Sequence, residues 1–229
     1  MANACLILDF DGTILDTEHA IFTAWSELWD EHGHELVLSD WQRNIGGGDV
    51  FDPWAELERR VGAELDPSLQ VRRRRRRDEI QAGYGPRPGV LDWLGEAQDL
   101  GVRVGIASSS PIDWVEGHLQ SLGILPYFSC LVCCDDTIPA KPEPTSYLIA
   151  CERLQADPQC SVAVEDSPHG VAAASTAGLF TVAVPHALTE GLNFASADIV
   201  LTSLEELTLN LALSMAERHS PGRVRPDEV

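Results

Sequence analysis

The chain has 229 residues, 44% of them hydrophobic, and a formal net charge of -20 at pH 7. That length and apolar content suit one large domain, or one core carrying an insertion. So negative a chain repels nucleic acid and anionic membrane, so neither is expected as a partner, and an anionic substrate must be drawn in by local charge.

The first element is Ala4-Cys5-Leu6-Ile7-Leu8, which ends abruptly in Asp9-Phe10-Asp11-Gly12-Thr13. It reads as a buried strand, Cys5–Asp9. No basic stretch precedes it, which predicts no secretory signal, and no apolar run in the chain is long enough to span a bilayer. Strand side chains alternate, so Asp9 and Asp11 point one way and Phe10 the other. Two carboxylates held together repel by on the order of 4 kcal/mol at about 4 Å in a partly buried setting. Such a pair persists where a cation or acid–base chemistry needs it.

From about Asp16 to Pro86 strand signals vanish and helical periodicity takes over. Ile21, Trp25 and Leu28 share a face that ends at Gly33. Val50, Trp54, Leu57 and Val61 share another behind an Asp52-Pro53 start, and Asp66-Pro67 opens a third helix. Asp16 and Glu18 read as acids of a helix first turn, and His19 as an exposed neighbour. Six consecutive arginines, Arg72 to Arg77, spread around a helix, so at most two can face one substrate; the run reads as a mostly solvated face. Gly83 to Gly89 is a hinge back to the core. Residues 16–86 are therefore a helical insertion directly after the carboxylate-bearing strand, placed as a lid.

Beyond it, strands at Val102–Ala107, Cys130–Cys134, Val162–Glu165, Thr181–Val184 and Ile199–Leu201 alternate with helices near Val90–Leu100, Trp114–Leu122, Thr145–Leu154 and Gly170–Ala177. The alternation predicts an α/β fold, a Rossmann-like parallel sheet covered on both faces and built from residues 1–15 and 87–216. Leu204, Leu207, Leu211 and Met215 mark the stripe of a closing helix, and 217–229 read as a disordered tail. Cys130, Cys133 and Cys134 read as small buried strand residues, and six cysteines in such settings suit a reducing cytoplasm.

Ligands of an open parallel sheet bind outside the carboxyl ends of its strands. Those ends offer Asp9 and Asp11, then Ser108-Ser109-Ser110, then Lys141, then Glu165-Asp166-Ser167. Four carboxylates among hydroxyls suit a hard divalent cation, Mg²⁺ best. Lys141 is the single lysine among sixteen basic residues. It supplies a compact charge that fits among carboxylates where a guanidinium does not. Ser110 is expected to cap the helix after Pro111, and His169 to be structural.

Asp9-Phe10-Asp11-Gly12-Thr13, the serine after Gly105-Ile106-Ala107, Lys141-Pro142-Glu143-Pro144 and Val164-Glu165-Asp166-Ser167-Pro168 resemble the four ordered motifs of the haloacid dehalogenase-like hydrolase superfamily. The insertion resembles that of its subclass with an α-helical cap, which includes phosphoglycolate-phosphatase-like enzymes and beta-phosphoglucomutase. The resemblance implies that Asp9 is the nucleophile and Asp11 the general acid, then base. It implies Mg²⁺ held by Asp9, the backbone carbonyl of Asp11, and Glu165 or Asp166. Ser108 and the phosphate-binding stretches at Gly12, Thr13 and Ser109 would hold phosphoryl oxygens, with Thr13 bracing its loop and Lys141 balancing charge.

Within the superfamily, Asp11 argues for phosphoryl transfer, since the dehalogenases lack that residue. The absence of a lysine in 16–86 excludes a Schiff-base mechanism there. Mutases of this subclass carry a cap arginine near where this chain has Asp49, which lowers the mutase reading. Gly47, Gly48 and Asp49 are possible cap contacts to substrate. The expectation is a cytoplasmic Mg²⁺-dependent phosphatase of a small phosphorylated metabolite, a monomer or weak dimer. The alternatives are a phosphosugar mutase or a non-catalytic binding protein on the same fold.

Overall fold

A computed structural model describes residues 3–45, 51–134 and 138–219. Six parallel strands form one sheet: β1 (Cys5–Leu8), β2 (Arg103–Ala107), β3 (Phe128–Val132), β4 (Val162–Glu165), β5 (Phe180–Ala183) and β6 (Ile199–Val200). Their order across the sheet is β3-β2-β1-β4-β5-β6. The predicted parallel α/β core is what forms. β1 lies at the centre, paired with β2 on one side and β4 on the other. The chain therefore reverses direction of winding around β1, and this is where a ligand crevice opens in such sheets.

Both faces of the sheet are covered. Leu6 and Leu8 of β1 join Val162 and Val164 of β4 in one apolar cluster, while Cys5, Ile7 and Ala163 join a second. The first is closed by α5 (Val90–Leu100), α6 (Ile112–Ser121) and α9 (Leu209–His219), the second by α7 (Thr145–Arg153) and α8 (Pro168–Thr176). The intervening helices α1 (Thr17–Glu31), α2 (Leu38–Trp41), α3 (Pro53–Val61) and α4 (Ser68–Gln81) gather around a third cluster that includes Trp25, Trp29, Trp41 and Leu57. Local signals set their ends. Asp16 accepts the His19 amide at the start of α1, and Asp52 accepts those of Trp54 and Ala55 ahead of Pro53 in α3.

Three expectations are corrected. The third strand runs Phe128–Val132, two residues earlier than predicted, because Cys134 leaves the ladder and donates its amide to the Ser110 carbonyl. The closing helix starts at Leu209, after a 3-10 turn at Leu204–Glu206, and buries Leu209, Ala212, Leu213 and Ala216. The indole of Trp93 takes the Leu204 and Leu207 carbonyls at 3.2 and 2.7 Å, which a continuous helix could not offer, and Leu211 is left 46% exposed. Finally, Glu217 to His219 belong to that helix and not to a tail. No helix among the described residues is long and apolar enough to cross a membrane.

Candidate active site

Asp9 stands one residue past the central strand, its amide bonded to the Val164 carbonyl at 3.0 Å. It is buried, as are Lys141, Glu165 and Asp166. Lys141 Nζ donates to Asp9 Oδ1 and, at 2.6 Å, to Glu165 Oε1. Oxygens of Asp9, Glu165 and Asp166 all lie within 4.8 Å of one another. One ammonium thus stands in a buried group of three carboxylates, and the excess negative charge is what a divalent cation would neutralise. The donor set fits such an ion.

Electrostatics follow the same geometry. Burial pushes the Asp9 carboxyl well above the usual carboxylate range; Lys141 opposes this, and Glu165, Asp166 and Asp11 add to it. Burial by itself would lower the Lys141 ammonium, but Asp9 and Glu165 outweigh it and hold the group above its usual value. The lysine is charged.

The two acids of the fourth strand end differ in how much of each is free. Glu165 Oε1 accepts from Lys141 and from Tyr147 OH at 2.7 Å. Its Oε2 accepts the Asp166 and Ser167 amides and the Ser167 hydroxyl. Glycine at 170 leaves room for this carboxylate at the start of α8, since a Cβ there would fall 1.8 Å from Oε1. Asp166 takes one donor on each oxygen, Thr13 Oγ1 at 3.3 Å and His186 Nε2 at 2.9 Å. His186 Nδ1 accepts the Leu188 amide at 3.3 Å, so the ring proton sits on Nε2 and the imidazole is the donor. Of the pair, Asp166 has the free lone pairs for a metal.

Asp11 points elsewhere. Its Oδ1 accepts Thr17 Oγ1 at 2.7 Å and Trp114 Nε1 at 2.8 Å, and its Oδ2 accepts Ser110 Oγ at 2.5 Å. The expected capping role of Ser110 is thereby corrected: Pro111 stands at the N-cap of α6 with no side-chain bond, and the serine is spent on Asp11. Two residues expected at the phosphate site have partners within the chain. The Gly12 amide is committed to the Leu15 carbonyl at 2.8 Å, and the Thr13 hydroxyl is turned to Asp166. Gly12 serves instead by its φ of +78° and by closeness, since a Cβ would meet Asp166 Oδ2 at 2.2 Å. Arg87 braces the same loop through the Gly12, Val184 and Pro185 carbonyls. Ser108 is buried with its hydroxyl accepting the Ser110 amide at 3.1 Å. Ser109 Oγ is buried without a partner among the described residues. Gly47, Gly48 and Asp49 lie outside the described residues.

These groups open into a cavity of about 670 Å³ between the sheet edge and α1, α3 and α4, lined by Asp9, Asp11, Ser108, Ser109 and Asp166 together with Glu18, Trp25, Trp41 and Phe51. Glu18 was expected to be a plain first-turn acid. Its side chain instead lines this cavity and accepts Trp41 Nε1 at 3.3 Å. Burial, then the like charges of Asp11 and Asp166, push its carboxyl up to about 8. A carboxyl raised in the folded state stabilises that state below the unfolded value of about 4.5 and loses the contribution as pH climbs through about 8. Glu18→Gln is therefore expected to melt higher than the parent above pH about 8 and alike below about 4.5; melting curves across pH check this.

The fold is of the α/β class, with buried carboxylates gathered at the carboxyl end of its parallel sheet. The profile of the haloacid dehalogenase-like hydrolases matches residues 4–178, and the chain belongs to that family. It is 40% identical over 210 residues to YhcW of Bacillus subtilis, spanning 91% of this chain and 95% of that protein. It is 29% identical over 211 residues to the phosphorylated carbohydrates phosphatase of Thermotoga maritima, spanning 90% and 96%. Among solved structures it resembles CbbY from Rhodobacter sphaeroides in complex with phosphate, with a TM-score of 0.74, 26% identity, and 93% and 99% of the two chains covered.

Proposed function

We propose that this protein is a Mg²⁺-dependent phosphatase that hydrolyses a small phosphorylated metabolite through an aspartyl-phosphate on Asp9. The observation that carries the proposal is the setting of Asp9: buried at the end of the central strand, held by the single lysine, and grouped with two further carboxylates. The printed names of relatives, such as the Thermotoga phosphatase above, support the same reading.

An Asp9 oxygen attacks phosphorus in line, and the bond from phosphorus to the ester oxygen breaks as the new one forms. Asp11 gives its proton to the departing oxygen. Water then attacks the same phosphorus and loses a proton to Asp11, which frees Asp9 and inorganic phosphate. Ser108 and Ser109 hold the phosphoryl oxygens, and Lys141 favours the ionised form of Asp9 and aims it. Mg²⁺ would be held by Asp9, Asp166 and the Asp11 carbonyl, and when bound would neutralise charge on the transferring group. Glu165, taken up by five donors, orients Lys141. Residues 16–86 act as the cap over the metabolite, with Glu18, Trp25 and Trp41 toward it. Gly47, Gly48 and Asp49 are proposed contacts from sequence position alone. The free cysteines, with Cys130 and Cys133 pushed up to about 11 and about 12 chiefly by burial, support a reducing, cytoplasmic setting.

The test is release of inorganic phosphate from alkyl, sugar and glycolate phosphomonoesters. At least one ester is expected to be hydrolysed, with activity lost on chelation and restored by Mg²⁺. Phosphate moved within a sugar without being released would replace this reading with a mutase.

A further inference from the structure

The six-arginine run presents four residues to solvent and turns two, Arg73 and Arg77, half-buried toward the core side of α4. Arg76 and Arg72 pair with Glu27 and Glu31 across the surface of α1, as a solvated face should. Arg77 does something different. Its guanidinium, held by Asp78 at 2.6 Å, lies 4.7 Å from the ring centroid of Trp114, a residue of the first turn of α6. The same indole meets the His118 ring with centroids 4.1 Å apart. Between these two neighbours the ring presents its N–H to Asp11 Oδ1 at 2.8 Å.

The three groups on Asp11 are not equivalent. Ser110 and Thr17 are hydroxyls, which rotate and can donate or accept; an indole N–H only donates, and its direction is fixed by the ring plane. The bond from Trp114 is therefore the one that sets the carboxyl plane of Asp11. We propose that Trp114, packed by Arg77, is a positioning residue for the step in which Asp11 hands its proton to the leaving oxygen. This role rests on the acid role given to Asp11 above. Its interest lies in the linkage: a side chain of the helical insertion is one aromatic ring away from the acid of the core.

A positioning role for proton donation predicts dependence on the leaving group. An alkoxide needs the proton as its bond to phosphorus breaks, whereas p-nitrophenolate leaves without it. Trp114→Phe keeps an aromatic ring beneath Arg77 and removes the N–H together with the five-membered ring that carries it. In this variant kcat/KM, which reports steps through the first P–O cleavage, is expected to fall about tenfold further for glycerol 2-phosphate than for p-nitrophenyl phosphate, the size of losing one buried hydrogen bond. Arg77→Met, on a surface helix, keeps the indole and is expected to show the same preference at smaller size. Equal losses for both esters in both variants, or no loss, would overturn the proposal and leave Trp114 a packing residue. A parent enzyme inert toward both esters, with Mg²⁺ present, would instead overturn the phosphatase reading, and this role with it.

Discussion

Asp9→Asn is expected to lower kcat by about four orders of magnitude or more while the protein stays folded. The amide is close to the carboxylate in shape but cannot form the acyl phosphate. Stability should hold or rise, because the cluster sets one ammonium against three buried carboxylates, and the substitution removes one of the surplus charges. Lys141 keeps Glu165 as a partner. Phosphate release and a melting curve on the same sample separate the two effects. A variant that unfolds would mean Asp9 is needed for structure, and one that retains turnover would mean the nucleophile is elsewhere.

Lys141→Met should damage both properties. Its ammonium bridges Asp9 and Glu165 in a buried site. Removing one member of a buried ionic group leaves the others uncompensated, at a cost of about 3–5 kcal/mol. The loss should be largest in metal-free buffer near neutral pH. It should shrink in acid, where the stranded carboxylates can take up protons and the repulsion fades. Turnover should also fall by roughly 10²–10³, since a charge fixed beside the transferring phosphoryl group is lost. Denaturant midpoints with and without chelator check the first effect, initial rates the second. Arginine at this position is not expected to rescue either, because a planar guanidinium has no space in a site where the lysine is buried. An unchanged midpoint would mean that the carboxylates are already neutral in the folded protein, or are solvated, so that no buried ionic group is broken.

The main acids could be read before any coordinates because a parallel sheet puts strand ends on one edge. Asp9, Glu165 and Asp166 stand at strand ends, Lys141 stood out as the single lysine, and the four converge. Applied to the fifth strand, the same rule would have reached His186, two residues past Val184 and bonded to Asp166. Other partners carry no local mark. Trp114 and Asp11 are 103 residues apart, and Tyr147 faces inward from a helix where its hydroxyl gives no periodic signal. Ser110 was legible as a cap and turned out to serve Asp11, since Pro111 can start a helix without a side-chain cap. The closing helix was misread because Leu204 and Leu207 keep helical spacing with Leu211 while a tertiary bond from Trp93 holds the first two in a turn. Periodicity reports which residues are apolar and does not see a competing partner from another element.

The most direct measurement is to quench the protein in acid during turnover of a phosphomonoester and map its peptides by mass. One phosphoryl group on the peptide carrying Asp9, absent from Asp9→Asn, is the predicted result. Phosphorylation at another side chain, or steady phosphate release with Asp9 never modified, would contradict it.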